Sequence, residues 1–379
     1  DYPSMNDSAR MALLPNGLRD ILPPHAEHEA GVLAALCACF ASRGYDRVEP
    51  PMVEFEDALL QGGGDIASQT FRLMDPVSQR MMGLRADMTP QIARIATTRL
   101  HKAPRPLRLS YAGSVLRVKG AQLRPERQFA QAGIEIIGAD EDTADAEVIA
   151  LCDEALAAVG IDEVTVDLFT PNLVDRATES ASIDRAALRE ALDHKDEALV
   201  RNIAGDAAPL LGKLMRASGA ADQALERLDA LDLGTSGRQE LQRLRNVINT
   251  LRAIRPDIRL TVDPVENRGF EYHTGVSFAL FGRGVRGELG RGGRYVADGG
   301  EPATGATLYL DSLLRALPKP SRRDRLYLPA GPSTGASQRA DGWTTVAALN
   351  ETTDAEGEAR RLGCSHWLDG GTIRPVTAA

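Results

Sequence analysis

The chain has 379 residues, about two and a half times the length of an average domain, so two or three domains are expected. Its composition of 43% hydrophobic and 26% charged residues is typical of a globular protein and excludes disorder as the main state. The formal net charge of −9 argues against broad nucleic-acid binding, which depends on clustered lysine and arginine.

The sequence suggests neither a membrane span nor a metal-binding motif. The longest nearly apolar run, Ala30 to Ala41, is too short to cross a bilayer. The segment Asp1 to Met11 lacks the basic and apolar regions of a secretory signal. The four cysteines form no CxxC pair and no Cys/His cluster, which favours reduced thiols in the cytosol. We therefore expect a cytoplasmic protein with no metal, no cofactor and no membrane contact.

The first predicted elements are a helix and an extended segment. Apolar residues recur at helical spacing from Ala26 to Arg43, and Gly44 follows where a left-handed cap is favoured. In the segment Tyr45 to Val53, the pair Pro50-Pro51 excludes an interior strand position. This segment therefore suits a sheet edge or an interface.

The next elements are three strands and a helix. Met81 to Arg85 is typical of a short strand, and Thr89-Pro90 then supplies a capping hydroxyl and a proline for the start of a helix. Leu107 to Leu116 and Arg127 to Ile137 are both strand-like. The loop between them, Val118 to Glu126, is long enough to let them pair antiparallel.

Alternation divides the side chains of the second of these paired strands between two faces. One face is apolar and predicts a contact with the core, whereas the other is polar and is a candidate for a ligand site. The apolar face holds Ala130, Ala132, Ile134 and Ile136, and the polar face holds Arg127, Gln131 and Glu135.

The rest of the chain changes character twice. Helical patterns dominate from Arg176 to Arg255, and strand patterns return at Ile258 to Val262 and Val276 to Phe281. A glycine-rich stretch and a helix from Leu308 to Leu317 follow, and a linker at Pro318 then leads to a small α/β unit. The predicted domains are a core of residues 1–175 and 256–318, a helical insertion of residues 176–255, and a C-terminal α/β domain of residues 319–379.

Several polar residues lie on or beside strands whose other faces are apolar. Buried charges are costly unless they are paired or meet a ligand, so this set either forms internal ion pairs or lines a pocket. For any single member a structural role is the simpler interpretation, and Thr89 alone reads as a helix cap. The mixed charges of the whole set favour a zwitterionic ligand. The set is Asp87, Thr89, Arg117, Arg127, Gln131, Glu135, Arg268 and Tyr272.

From about Leu14 to Leu317 the sequence resembles the class II histidyl-tRNA synthetases. Arg43 to Pro51 is similar to their first motif, Arg117 with Arg127 to Glu135 to the second, and Gly292 to Tyr295 leads into the third. Arg268 to Gly275 resembles the histidine-specific signature of that family. The resemblance implies an α+β fold in which an antiparallel sheet is flanked by helices, and a homodimeric core formed through the first motif.

The resemblance also implies roles for single residues. Asp87 and Thr89 would hold the ammonium group of histidine, Arg117 would meet the ATP α-phosphate, and Arg268 would serve the carboxylate. Gln131 and Glu135 would face the ligand, next to Tyr272 and His273. The synthetases usually have a second tyrosine in place of His273, so histidine affinity or geometry should differ here.

Three departures from the synthetase pattern concern ATP binding and tRNA binding. Ser312 stands where the third motif has an arginine that clamps the γ-phosphate, and Lys119 stands where a glutamate reads adenine. Because each lost contact of this kind costs about 10²–10³ in rate, adenylation should be vestigial at most. The tail of about 60 residues is shorter than a synthetase anticodon-binding domain and has no basic helix, so no tRNA binding is expected.

A synthetase-like body with a defective ATP site resembles the regulatory subunits of ATP phosphoribosyltransferase. That family partners the short-form catalytic subunit at the first step of histidine biosynthesis, which histidine inhibits. The resemblance implies a non-catalytic regulator that forms a homodimeric core within a hetero-oligomer, with L-histidine as effector. Two alternatives stay open: a divergent histidyl-tRNA synthetase, and a scaffold that has lost ligand binding.

Overall fold

The computed structural model describes residues 13–59, 64–120, 124–266, 272–331 and 335–377. They form two compact units. The described residues up to Pro318, apart from Leu22–Ala26, belong to the large unit, whereas Leu22–Ala26 and the residues from Lys319 onwards belong to the small unit.

The large unit combines one large sheet, one small sheet and helices. In chain order its strands are β1 (Asp46–Arg47), β2 (Val53–Phe55), β3 (Phe71–Met74), β4 (Met81–Leu84), β5 (Leu107–Leu116), β6 (Gln128–Ile137), β7 (Val164–Phe169), β8 (Gly219–Ala220), β9 (Arg259–Asp263), β10 (Ser277–Gly282), β11 (Gly290–Val296) and β12 (Pro302–Tyr309). Its helices, the first of which begins in the small unit, are α1 (His25–Ser42), α2 (Glu56–Leu59), α3 (Gly64–Gln69), α4 (Thr89–Thr98), α5 (Asp142–Ala158), α6 (Leu173–Ala177), α7 (Arg185–Asp193), α8 (Glu197–Ala204), α9 (Ala208–Met215), α10 (Ala221–Asp229), α11 (Gly234–Ile254) and α12 (Leu310–Ala316).

Helix α1 confirms the first predicted element. Gly44 directly beyond it has φ +80°, the left-handed conformation that the predicted cap requires. The apolar stripe of the helix, Val32, Leu36 and Phe40, is buried in the main core of the large unit. Leu33 and Cys39 of the same helix are only partly buried against that core.

The large sheet has the strand order β1–β5–β6–β12–β11–β10–β7–β9–β8 within the described residues. Strands β1 and β5 are parallel, as are β7 and β9, and the other neighbours are antiparallel. The predicted antiparallel pair is confirmed as β5 and β6, with Leu107 opposite Ile137 and Leu116 opposite Gln128. The short strand β1, from the predicted edge segment, forms one edge of the sheet.

Strand β12 lies where the sequence predicts no strand, and it shortens the helix predicted from Leu308 to Leu317. Residues Pro302–Tyr309 form a strand between β6 and β11, and α12 begins only at Leu310. Glycine is depleted in strands, which explains the error.

The two faces of β6 divide as predicted. Ala130, Ala132, Ile134 and Ile136 are buried in the main core, which also takes in the apolar sides of α1 and α5. Gln131 and Glu135 lie on the opposite face. That opposite face carries the candidate site.

Residues 176–255 are mostly helical, with the two-residue strand β8 paired to β9 as an exception. Leu241, Leu244, Val247, Ile248 and Leu251 of α11 join the main core, whereas Ile254 at the end of that helix is exposed. The helices of this segment therefore share their core with the sheet.

The small unit has its own sheet. Its strands are β13 (Arg325–Leu328), β14 (Thr344–Ala347), β15 (His366–Asp369) and β16 (Thr372–Pro375), in the order β14–β13–β15–β16, with helices α13 (Ala336–Ala340) and α14 (Ala355–Arg361). Strand β13 is parallel to both β14 and β15, as in other α/β folds. No helix in the described part of the chain is long and apolar enough to span a bilayer.

Candidate ligand-binding site

A cavity of about 1060 Å³ lies against the polar face of the large sheet. It exceeds the 300–1,000 Å³ that is usual for small-molecule sites, so it has ample room for an amino acid. The predicted site residues that line it are Asp87, Thr89, Arg117, Glu135, Tyr272 and His273.

A row of paired residues forms the floor of the cavity. Glu135 of β6 lies opposite Gly305 of β12, Gly305 lies opposite Gly293 of β11, and Gly293 lies opposite Ser277 of β10. A Cβ atom on Gly305 would overlap the Glu135 carboxyl group. The Glu135 side chain therefore lies flat across the sheet, over backbone that has no side chain of its own.

The Glu135 carboxyl group is held from two sides. It is only 1% exposed, and it accepts hydrogen bonds from the hydroxyl of Tyr295 at 2.9 Å and from that of Tyr111 at 3.4 Å. Burial raises the pKa of Glu135 to about 8, and the nearby charge of Asp87 adds to the increase. This raised pKa favours the protonated, neutral form of the group near neutral pH.

Asp87, Thr89, Gln131 and Arg117 meet beside Glu135. Gln131 Nε2 donates to Asp87 Oδ2 at 3.1 Å, and the Thr89 backbone N–H donates to Asp87 Oδ1 at 2.9 Å. Arg117 Nη2 lies 3.9 Å from Asp87 Oδ2. The arrangement places a carboxylate with a cationic neighbour at one end of the cavity.

Thr89 is not the helix cap that its sequence position indicates. The residue before α4 is Met88, which has no capping side chain, and the Thr89 hydroxyl instead lies 3.2 Å from the Tyr111 hydroxyl. Its side chain is thus free to take part in the polar network of the cavity.

Tyr272 and His273 enter the cavity as a pair of rings. Their ring centroids are 3.9 Å apart, and the Tyr272 ring meets Tyr295 edge-on at 6.3 Å. A Cβ atom on Gly293 would lie 2.6 Å from His273 Cδ2, so the missing side chain lets the imidazole approach the sheet. Arg268, the predicted carboxylate ligand, lies outside the described residues.

Two predicted polar residues lie elsewhere. Arg127 donates from Nε to the carbonyl oxygen of Arg117 at 3.2 Å and from Nη1 to that of Asn16 at 3.1 Å, so it braces the backbone. Lys119 is exposed.

A second part of the cavity is lined by arginines that are already paired. The guanidinium carbon of Arg124 lies 3.7 Å from the centre of the Tyr309 ring, and Arg124 Nε lies 3.3 Å from Asp311 Oδ2. Arg315 donates to the hydroxyl of buried Ser312 at 2.9 Å and lies 3.2 Å from Asp311. These cations are largely neutralised by the chain itself. The described residues contain no group of three or more metal-ligating side chains.

Comparisons with known proteins agree with this geometry. The family described as histidyl-tRNA synthetase matches residues 17–313. A protein of Paramagnetospirillum magneticum named ATP phosphoribosyltransferase regulatory subunit is 57% identical over 372 residues, which cover 96% of this chain and 98% of that protein. The chain belongs to the family of ATP phosphoribosyltransferase regulatory subunits.

Solved structures place this regulatory-subunit family on the synthetase fold. A Bacillus halodurans protein described as an ATP phosphoribosyltransferase regulatory subunit/histidyl-tRNA synthetase aligns with a TM-score of 0.81 at 25% identity, over 92% of this chain and 96% of that one. The histidyl-tRNA synthetase of Nostoc sp. PCC 7120 aligns with a TM-score of 0.78 at 19% identity, over 94% and 91% of the two chains. The class II synthetase-like fold is thereby confirmed.

Sequence reasoning missed three hydroxyl groups of the site, those of Tyr111, Tyr295 and Thr307. Tyr111 lies 2.7 Å from Thr307, and Tyr295 holds Glu135. A signal for Tyr111 exists, because alternation along β5 puts it on the same face as the polar residues of β6. Thr307 gave no such signal, since β12 was not recognised as a strand.

Proposed function

We propose that the protein is a non-catalytic regulatory subunit that acts with the short-form catalytic subunit of ATP phosphoribosyltransferase. In this proposal L-histidine binds in the cavity of the large unit and its binding free energy biases the assembly toward an inhibited state. The observation that carries the proposal is the convergence of Asp87, Thr89 and Glu135 on one cavity next to Arg117, with buried Gln131 donating to Asp87.

The charges of the cavity suit histidine. The Asp87 carboxylate supports an ammonium group, and the Glu135 carboxyl supports an imidazole ring because both can exchange hydrogen-bond donor and acceptor roles. Arg268, by its resemblance to the histidine signature, supplies the cation for the ligand carboxylate. Each charge-assisted contact of this kind contributes about 1.5–3 kcal/mol.

The second part of the cavity supports a regulator rather than a ligase. Ser312 offers no positive charge for a γ-phosphate, and Arg315, one turn later in α12, pairs with Asp311. Arg124 is likewise committed to Asp311 and to the Tyr309 ring. A polyphosphate would have to compete with these internal pairs before it could bind Arg124 or Arg315.

Co-purification with the short-form catalytic subunit, followed by a histidine titration of the activity of the complex, tests the proposal. We expect a stable complex whose activity histidine inhibits. Failure to form a complex, or activity that histidine leaves unchanged, contradicts it.

Substitution of Arg268 tests the assignment of the cavity. Arg268→Ala should weaken histidine binding at least tenfold, since about 1.4 kcal/mol corresponds to a factor of ten, and inhibition of the complex should weaken with it. Arg283→Ala removes an exposed arginine that pairs with Glu163 and is the matched control. A folded Arg268→Ala protein whose complex is inhibited as strongly as before shows that this cavity is not the regulatory site.

A second candidate function is histidine activation by the protein itself. The Bacillus halodurans structure is described by both names, and Arg268 to Gly275 of this chain resembles the histidine-specific signature of the synthetases. ATP–pyrophosphate exchange driven by histidine, or charging of histidine tRNA, would support this candidate over the first. We expect neither activity.

A further inference from the structure

We propose that Tyr111 is a positioning residue of the ligand site, whose hydroxyl directs the Glu135 carboxyl group toward an imidazole ring and sets how the pair shares its proton. The inference rests on the proposed function, because it takes histidine as the ligand. Tyr111 itself is fully buried and is not among the residues that the synthetase resemblance assigns to the ligand.

The hydrogen-bonding capacity of Tyr111 is filled by three neighbours. Its hydroxyl lies 2.7 Å from the hydroxyl of Thr307, 3.2 Å from that of Thr89 and 3.4 Å from Glu135 Oε1. A tyrosine hydroxyl donates one hydrogen bond and accepts at most two. Because an ionised Glu135 can only accept, Tyr111 donates to Glu135 and accepts from Thr307. The Thr89 hydroxyl contacts Tyr111 and also forms a hydrogen bond with Glu135 that lowers its pKa.

The position of this hydroxyl is fixed by packing. Tyr111 of β5 lies directly opposite Gly133 of β6, and a Cβ atom on Gly133 would overlap the end of the tyrosine ring. The ring therefore lies flat over the β6 backbone, two residues before Glu135. A rigid ring whose hydroxyl also accepts from Thr307 gives the donated proton a defined direction.

The two oxygens of Glu135 are held unequally. Tyr295 donates to Oε2 at 2.9 Å, whereas Tyr111 donates to Oε1 at the longer distance of 3.4 Å. The longer bond leaves Oε1 the oxygen with more capacity for a ligand N–H. The other titratable neighbours that act on Glu135 or respond to it are Asp87, Tyr272 and, from α5 on the opposite face, Cys152.

Proton balance gives this arrangement a measurable signature. The pKa of Glu135 in the empty cavity is about 8, and that of a free imidazole is about 6.5. At a pH between these two pKa values, Glu135 is protonated and the free imidazole is not, so the protein supplies the one proton that Glu135 and the imidazole share. Above the upper pKa, histidine binding requires the uptake of a proton from solvent, and below the lower pKa it requires the release of one. Histidine affinity should therefore peak between the two values.

Tyr111→Phe should move the upper limb of the pH profile, which is the fall in histidine affinity at high pH. The Tyr111 hydrogen bond lowers the pKa of Glu135, so its removal raises this pKa and shifts the upper limb to higher pH. A merely structural defect would weaken binding at every pH and leave the limb in place. The titrations of the free ligand are common to all variants and cancel in the comparison.

The experiment is calorimetric titration of the full chain with histidine from about pH 5.5 to about pH 9.5, a range that spans both pKa values. Tyr111→Phe should bind roughly tenfold more weakly at neutral pH, with the upper limb shifted upward by roughly half a pH unit. Thr307→Val should show a smaller change in the same direction. The matched control is Tyr45→Phe, which also removes a buried tyrosine hydroxyl that donates to a glutamate, Glu147, at 3.0 Å but lies outside the cavity.

The outcomes separate this inference from the proposed function. If the unmodified protein does not bind histidine, the proposed function fails and this inference fails with it. If it binds histidine but Tyr111→Phe keeps the upper limb in place, at any affinity, the positioning role alone is overturned. A shifted limb in Tyr111→Phe together with an unchanged profile in Tyr45→Phe supports it.

Discussion

The absence of a side chain at Gly305 is a requirement of the site. Any Cβ atom there would overlap the Glu135 carboxyl group, so Gly305→Ala must displace either the carboxyl group or strand β12. We expect histidine affinity to fall at least tenfold, about 1.4 kcal/mol, together with a lower melting temperature. Calorimetry and thermal unfolding on one sample check both effects.

Gly31→Ala is the matched control for that substitution. Gly31 lies in α1 and a Cβ atom there meets no heavy atom within 4 Å. Alanine in a helix is favoured over glycine by about 1 kcal/mol, so this variant should melt at a higher temperature with unchanged affinity. Equal loss of affinity in both variants would contradict the steric argument.

Glu135 should also govern how stability depends on pH. The carboxyl ionises near pH 4.5 in the unfolded chain but only near pH 8 in the folded one, so folding is favoured at low pH and loses stability as pH rises between these values. Glu135→Gln does not titrate. Its melting temperature relative to the unmodified protein should therefore increase from about pH 5 to about pH 8 and then level off. A difference that does not vary with pH excludes a buried, protonated Glu135.

At the level of elements, a buried ion pair connects β11 to α5 on the core side of the sheet. Arg294 Nε donates to Asp145 Oδ2 at 3.0 Å, and the same guanidinium donates to the carbonyl oxygens of Ala139 and Glu141. Arg294 directly follows Gly293 and precedes Tyr295, so the ion pair with Asp145 fixes the position of these two cavity residues. Burial raises the pKa of Asp145, and Arg294 opposes that increase.

Asp145→Ala should be strongly destabilising, because the buried Arg294 guanidinium then keeps only the longer ion pair with the exposed Asp140 carboxylate at 3.5 Å. The free energy of unfolding should fall by about 3–5 kcal/mol, as measured by denaturant unfolding. Glu163→Ala removes the acid of an exposed pair with Arg283 and should leave the unfolding midpoint unchanged. Similar midpoints for both variants would show that the buried pair adds nothing.

The elements that the sequence predicted well are those with strong local periodicity. Helix α1 and the strands β5 and β6 carry regular apolar patterns over ten residues or more. Strand β12 could not be recognised, because Gly305 and Thr307 are there to accommodate Glu135 and Tyr111, and this demand comes from neighbouring strands. The polar residues of β6 could be predicted because their signal is local: Gln131 and Glu135 interrupt an otherwise apolar strand.

At the scale of the whole molecule, the small sheet β2–β4–β3 has one apolar face that the described residues cover only in part, with the guanidinium groups of Arg80 over the Phe55 ring and Arg127 over the Phe71 ring. Its strand pairing aligns Phe55 with Met82 and Leu73, and Val53 with Leu84 and Phe71. None of these six side chains is fully buried, and Phe55 and Leu73 are each 37% exposed. An apolar sheet face of this kind is typical of a subunit interface.

This face is where we expect the predicted homodimer to form. A two-fold interface brings the same face of both chains together, so one substitution acts twice. Leu73→Glu should weaken the dimer at least a hundredfold, about 2.7 kcal/mol, because it places two unpaired carboxylates in an apolar contact. Light scattering at micromolar concentration should then report two chains for the unmodified protein and one for the variant. Leu349→Glu alters an equally apolar side chain that is 96% exposed in the small unit, and it should stay dimeric. A monomeric unmodified protein, or a Leu73→Glu variant that remains a dimer, rules out this face as the interface.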